Sequence, residues 1–289
     1  MTIYYHSSKI ASILGINYYT NIEEYINLFI EYLYKHKEEL RKYDIDSNII
    51  KFCSEEENII TKLTNAGVKE NKQKEILDIY KNSKNIKNNN ELNLETKKIE
   101  NILYELPTTE KNKILPNIKS KLNCSYGINN ENNAIKLYTN LTNNEVYESN
   151  DKLLKMECNN FYICGKIDGK TLIDKIEYIV EIKNRKNKFY EYIPKYENIQ
   201  LILYTKLCNN KNICFIQKLS NEIQIKYINN LDSDDMIYND IITKLELYNN
   251  LIIKLQNNEN ERHKFLSYDN VQRYMYLKQI LNFLPYKKS

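Results

Sequence analysis

Apolar positions recur at helical spacing near the start of the chain. Between Asn21 and about Tyr43, the residues Tyr25, Leu28, Phe29, Tyr32 and Leu33 fall on one face of a 3.6-residue repeat, which predicts a helix. A second helical stretch is expected over Glu55–Leu63, and helix resumes near Glu95. Between them NSKNIKNNNELN, Asn82–Asn93, reads as a low-complexity surface loop or linker. Pro107 and Pro116 punctuate the passage into a different pattern. A helix is expected from about Asn129, then three strand-like runs: Val146–Cys158, Phe161–Asp168 and Glu177–Asn184. A helix over Pro194–Leu207 follows, then strands Ile213–Leu219 and Ile223–Ile228, and helices Asp234–Gln256 and Asn270–Phe283. Helix, three strands, helix, strand is the order of an α/β (α+β) sandwich: a mixed central β-sheet flanked by helices.

Composition narrows the class. The 289 residues suffice for a sizeable core, and 42% hydrophobic with 28% charged residues is ordinary for a globular protein. No apolar run reaches 18 residues, and MTIYYHSSKI lacks a basic region followed by an apolar stretch. The expectation is therefore a soluble intracellular protein with no membrane partner. A net charge of +4 permits a polyanionic partner without demanding one. The 26 tyrosines accompany abundant Asn, Lys and Ile, as an AT-rich genome would produce, and carry no weight by themselves.

Six cysteines contain no C-x2-C pair, although Cys158/Cys164 and Cys208/Cys214 share a C-x5-C spacing. Asn159-Asn160 predicts a hairpin turn that pairs Cys158 with Phe161 and not with Cys164. The cysteines, Cys53 and Cys124 included, are thus read as reduced, small buried residues.

The chemistry concentrates in CGKIDGKTLIDKIEYIVEIKNRKN, residues 164–187. Side chains alternate across a strand, so Glu181 and Lys183 share a face of a run that is otherwise apolar. Burying both is costly unless each is paired. A plain same-face ion pair is one reading, and E-x-K also occurs at Glu70/Lys72 and Glu95/Lys97. Asp168 raises the stakes, because a strand pair joined by a loop of this length can set it beside Glu181. Two such carboxylates repel unless a cation sits between them, and oxygen ligands without nearby His or Cys suit Mg2+ or Mn2+. The histidines at 6, 36 and 263 lie outside the segment. On the preceding helix, Ile128, Glu131, Ile135 and Tyr138 share a face, so Glu131 is expected to point inward; a helix-start acid favoured by the dipole is the alternative. Acids, a lysine and a hard cation suit phosphodiester hydrolysis.

These residues resemble the signature of the PD-(D/E)XK nuclease superfamily, and more narrowly the lambda-exonuclease and YqaJ-type viral recombinase nucleases. HSSKIASILGINYYT is similar to that family's serine-containing helix motif, with Ser8 at the serine position. Gly127…Glu131…Ala134…Tyr138 resembles its G-x3-E-x2-A-x3-Y helix, GKIDG and VEIKNR its metal site, and Pro194…Tyr196…Gln200 its P-x-Y-x3-Q helix. The resemblance reaches from residue 6 to about 204, in the family's order. It implies a restriction-endonuclease-like core in one nuclease domain over 1–289. A serine-motif helix would occupy 1–20, a helical insertion 21–115, a catalytic αβββαβ core 116–230 and C-terminal helices 231–289.

It further implies that Asp168, Glu181, the Ile182 backbone carbonyl and Glu131 hold Mg2+ or Mn2+. Lys183 would serve the attacking water, Gln200 would orient that water or a phosphate, and Ser8 would touch DNA phosphate. Arg185 and Lys186 follow the catalytic strand and are candidate DNA contacts, or simply loop cations. The implied activity is 5′-to-3′ digestion of duplex DNA with free ends, in viral-type recombination, replication or repair. A single-strand annealing protein and a homo-oligomer are the partners implied by analogy, in the cytoplasm or nucleus of a host cell. The arginine that lambda-type enzymes carry before the serine has no counterpart here, so the resemblance does not extend to a grip on a 5′-phosphate. An endonuclease on the same core and a catalytically silent DNA-binding scaffold are the alternatives.

Overall fold

The computed structural model describes residues 3–46, 55–86, 88–149 and 152–285. It is a mixed α/β protein in which helices flank two mixed sheets. In chain order the elements are β1 (Ile3–His6), α1 (Ser7–Ile13), α2 (Ile22–Tyr34), α3 (Glu38–Asp46), α4 (Glu55–Asn65), α5 (Glu70–Lys81), a 3-10 turn (Asn82–Asn85), α6 (Asn89–Ile102) and α7 (Thr108–Thr142). Then come β2 (Val146–Tyr147), β3 (Leu154–Glu157), β4 (Phe161–Gly165), β5 (Gly169–Ile173), β6 (Ile176–Arg185), α8 (Lys195–Leu207), β7 (Ile213–Leu219) and β8 (Glu222–Ile228). Helices α9 (Met236–Asn257), α10 (Glu259–Ser267) and α11 (Asn270–Ile280) close the chain.

The larger sheet runs β2-β5-β6-β7-β8, with β6 and β7 parallel and the other pairs antiparallel. The smaller runs β1-β4-β3, with β1 parallel to β4. The chain passes from one to the other between β4 and β5, through Lys166, Ile167 and Asp168. The two glycines of GKIDG make this passage possible. A Cβ on Gly165 would stand 2.5 Å from Ser7 Oγ and 2.9 Å from Tyr204 Cε1. Gly169 has φ +157°, and a Cβ there would meet the Val146 side chain and the Tyr147 carbonyl oxygen.

The predicted turn at Asn159-Asn160 is present: the Cys158 N–H donates to the Phe161 carbonyl at 2.9 Å. Other expectations are corrected. The run Val146–Cys158 is two strands in different sheets, broken where Glu148 adopts φ 51°. Phe161–Asp168 ends as strand at Gly165, and β5 is an additional strand, turned into β6 by Asp174 and Lys175 at positive φ. The helix expected over Asn21–Tyr43 breaks at His36, φ 60°. Asn82–Asn93 is a 3-10 turn followed by the first turn of α6, whose N-cap is Asn88; Lys87 lies outside the described residues. The N-terminal motif is a strand before it is a helix, because β1 pairs with β4.

Helix α7 runs through Pro116, so it begins well before Asn129, and the boundary drawn at 115/116 falls inside it. Pro116 is exposed, which leaves water to satisfy the carbonyl that loses its N–H partner. The expected insertion over 21–115 also divides. Helix α2 packs into the main core with β1, β4, α8, α9, α10 and α11. Residues 59–126 build a second core of their own from Leu63, Ile76, Leu92, Ile99, Ile118 and Leu122.

Of the cysteines, Cys164 and Cys214 are buried, Cys158 and Cys208 half-buried, and Cys124 exposed, the last correcting the reading of it as a core residue. Cys53 lies outside the described residues. No helix among the described residues is long and apolar enough to cross a membrane.

Candidate active site

Strand β6 is covered on both faces. Val180 and Ile182 pack with Ala134 and Tyr138 of α7, while Ile179 packs with Leu201 and Tyr204 of α8. Alternation places Glu181, Lys183 and Arg185 on the Ile179 face. Glu181 is 2% exposed. Gly169 pairs with Val180 across the ladder, so the step before it sets Asp168 opposite Glu181, where the two sheets meet. Asp168 is buried too, and its Oδ2 accepts the Ile182 N–H at 2.6 Å.

Lys183 Nζ lies 2.6 Å from Glu181 Oε1 and donates to Gln200 Oε1 at 3.0 Å. Gln200 Nε2 donates to the Tyr204 hydroxyl at 2.8 Å, which donates to the Lys166 carbonyl at 2.6 Å. The chain of contacts thus ties α8 to the sheet crossing beside Asp168. One acceptor is left over: Glu181 Oε2 is buried with no hydrogen-bond partner.

The electrostatics follow from this crowding. Burial, with the charges of Glu181 and Glu131, pushes the Asp168 carboxyl well above the ordinary range. Burial also pushes Glu181 up, against the opposing pull of Lys183. Burial draws Lys183 down, but the Glu181 carboxylate and its hydrogen bond outweigh it and hold the ammonium above its usual value. In this pairing Lys183 is a charged donor, placed to orient a water or offset phosphate charge.

The structure brings Asp168, Glu181, Lys183 and Gln200 together, with Glu131 of α7 close enough for its charge to act on Asp168. Glu131 is half-buried, but its predicted face is not uniformly inward: Ile128 is 67% exposed, and the buried neighbours are Asn130, Ala134 and Tyr138. Among the described residues no group of three or more His, Cys, Asp or Glu side chains stands ready around a metal position. Lys183 takes Glu181 Oε1, and the Ile182 N–H takes Asp168 Oδ2. The donor set nonetheless fits a hard divalent cation, because an orphaned buried carboxylate oxygen beside a second, repelling carboxyl is a place where added positive charge stabilises the fold.

The predicted DNA contacts divide differently. Ser8 is exposed on α1, whereas Ser7 is the buried serine, against Gly165 and Tyr204. Arg185 is no free cation. It is buried in a bidentate pair with Glu197, at 2.6 and 2.7 Å, and its Nε donates to Gln217 Oε1 at 2.7 Å. Lys186 is exposed. His6, remote in sequence, sits with Nδ1 3.4 Å from Cys164 Sγ across the β1–β4 pair.

Tyr204 was given no role by the sequence, although its i,i+4 spacing from Gln200 puts the two on one helix face. Nor was Asn184, whose Nδ2 donates to the Gly127 carbonyl at 2.8 Å while Oδ1 is buried without a partner. Nothing local in the sequence marks Asn184, because its partner lies on α7.

No protein-family model matches the chain, and no curated protein matches it. Among solved structures, the crystal structure of SSO0001 aligns with 44% of this chain at 16% identity and a TM-score of 0.31. The match spans 63% of that chain.

Proposed function

We propose that the protein is a metal-dependent deoxyribonuclease with a restriction-endonuclease-like core, acting as a 5′-to-3′ exonuclease on duplex DNA ends. The observation that carries the reading is the unpartnered buried oxygen Oε2 of Glu181, a carboxyl whose other oxygen pairs with Lys183 and whose charge acts on Asp168. A buried carboxylate oxygen with no protein partner is a position that a ligand can complete.

Asp168, Glu181, Glu131 and the Ile182 carbonyl would hold Mg2+ or Mn2+, which when bound supplies Lewis-acid stabilisation of phosphate charge and a more acidic water. Lys183, released from Glu181 Oε1, donates to a non-bridging phosphate oxygen or to the attacking water. Gln200 holds the Lys183 ammonium in place through Oε1 and is itself steadied by Tyr204. Water oxygen bonds to phosphorus, its proton passing to bulk solvent, as the bond to the leaving sugar oxygen breaks and that oxygen takes a proton from solvent.

The test is digestion of end-labelled linear and closed circular DNA with and without Mg2+, beside Lys183→Ala. Progressive loss of linear DNA from its 5′ ends, survival of circles and a silent variant support the exonuclease. Nicked circles point to an endonuclease on the same core. DNA binding with no cleavage in Mg2+ or Mn2+ overturns the enzyme and leaves a scaffold.

A further inference from the structure

Beyond Lys183, β6 continues to Arg185, two residues along on the same face and about 7 Å further by strand rise. Arg185 does not reach solvent. It is locked to Glu197 and Gln217, and its guanidinium lies 4.3 Å from the centre of the Tyr190 ring. Gln217 also clamps Tyr190 through its backbone, accepting the Tyr190 N–H at 3.0 Å and donating to the Tyr190 carbonyl at 2.8 Å. The Tyr190 side chain in turn lies close enough to Tyr19 to influence its hydroxyl, which accepts from the Tyr18 hydroxyl at 3.2 Å. This rigid column ends in a surface cluster. Tyr18 and Tyr19 stand 66% and 60% exposed with ring centres 4.2 Å apart, and both meet the Tyr196 ring edge-on, at 5.5 and 5.9 Å. Tyr192 is 74% exposed on the same loop as Tyr190. Lys186, Lys188 and Lys195 are exposed on that segment.

Tyr18 and Tyr19 make a contiguous exposed aromatic pair, and contiguous exposed apolar surface marks interaction sites. They pack on Tyr196 of α8, the helix that also carries Gln200, and the segment between β6 and α8 brings three exposed lysines that match a phosphate backbone. We propose that Tyr18 and Tyr19 form a stacking platform for unpaired nucleobases of the DNA strand entering or leaving the site. The assignment rests on the nuclease reading for its substrate class. Stacking is tolerant of sequence because every base has a π-face, while the lysines hold the phosphates.

The experiment measures binding of a fluorescent oligo-dT strand, and of a strand of equal length carrying abasic sites, in EDTA so that nothing is cut. The wild-type protein should bind the base-bearing strand about tenfold tighter for each stacked base. Tyr18→Ala/Tyr19→Ala should bind both strands equally weakly, and Tyr18→Phe/Tyr19→Phe should retain the preference, since stacking needs the ring and not the hydroxyl. Equal wild-type affinity for the two strands overturns the platform without requiring any variant to fold. A preference that survives the double alanine change in a folded protein overturns it as well, and leaves the patch to a protein partner. The two readings fail separately. Base-dependent binding without Mg2+-dependent cleavage sinks the nuclease and keeps the platform, whereas cleavage without base preference does the reverse.

Discussion

Glu181 and Asp168 occupy positions that cost the fold stability. Both carboxyls are buried and raised, Asp168 the more strongly, by burial and by its acidic neighbours. A carboxyl raised in the folded state contributes stability that is full below its unfolded pKa and is lost as pH rises through the folded value. The metal-free protein should therefore weaken as pH climbs above the ordinary carboxylate range. Asp168→Asn removes the charge and keeps an acceptor for the Ile182 N–H. In EDTA at neutral pH it should be more stable than wild type by roughly 1 kcal/mol or more, with a flatter stability–pH curve. Calorimetric melting across pH decides this, and a lower melting temperature for Asp168→Asn would contradict it. These residues were legible in the sequence because strand alternation is a local rule and a short span separates Asp168 from Glu181, although the β5–β6 register that sets them opposite was not. Ser7 against Ser8 was not, since a serine does not declare which way its helix turns. Arg185 looked like a surface cation because the sequence does not reveal that Glu197, on the next helix, reaches back to it.

At the scale of elements, α7 shows how much of a helix packing can override. Asn-rich, carrying Pro116 and Gly127, it has weak intrinsic propensity, yet it is continuous over 35 residues. Nothing lies within 4 Å of a Cβ built on Gly127, and its φ is ordinary. Gly127→Ala should accordingly stabilise the protein by about 0.5–1 kcal/mol, read as a shift in urea midpoint at constant slope. A loss of stability would mean that the Asn184 contact to its carbonyl is disturbed. The helix period and the turn at Asn159-Asn160 could be read from local pattern. Strand β1 could not, because its partner β4 lies more than 150 residues away and four residues carry little pattern. Strand β5 was hidden by a turn built from Asp174 and Lys175 instead of glycine.

For the whole molecule, Asp44 joins the N-terminal helices to the C-terminal ones. Its carboxylate accepts Arg262 Nε at 2.8 Å, the Tyr34 hydroxyl at 2.6 Å and His263 Nε2 at 3.0 Å, with Asp44 and Arg262 both buried. Burial pushes Asp44 up, but these hydrogen bonds outweigh it and the net direction is down. A carboxyl lowered in the folded state contributes stability above its unfolded pKa and loses it as pH falls through the folded value. Asp44→Ala strands a buried guanidinium and should cost on the order of 3–5 kcal/mol at pH 7. Denaturant titrations should show that gap narrowing below about pH 4. A gap that stays constant into acid would show that the carboxylate's ionisation is not what holds the helices together.

Helix α7 is one continuous run of about 52 Å at the usual rise per residue. Its first half is built into the core of residues 59–126, and its second half carries Glu131 to the carboxyl pair. It is a beam with a core of its own at one end and the acidic cluster at the other. A version trimmed of the 59–126 segment would saw that beam through, so the smallest chain that still holds Glu131 against Asp168 is larger than the sheet and its acids suggest.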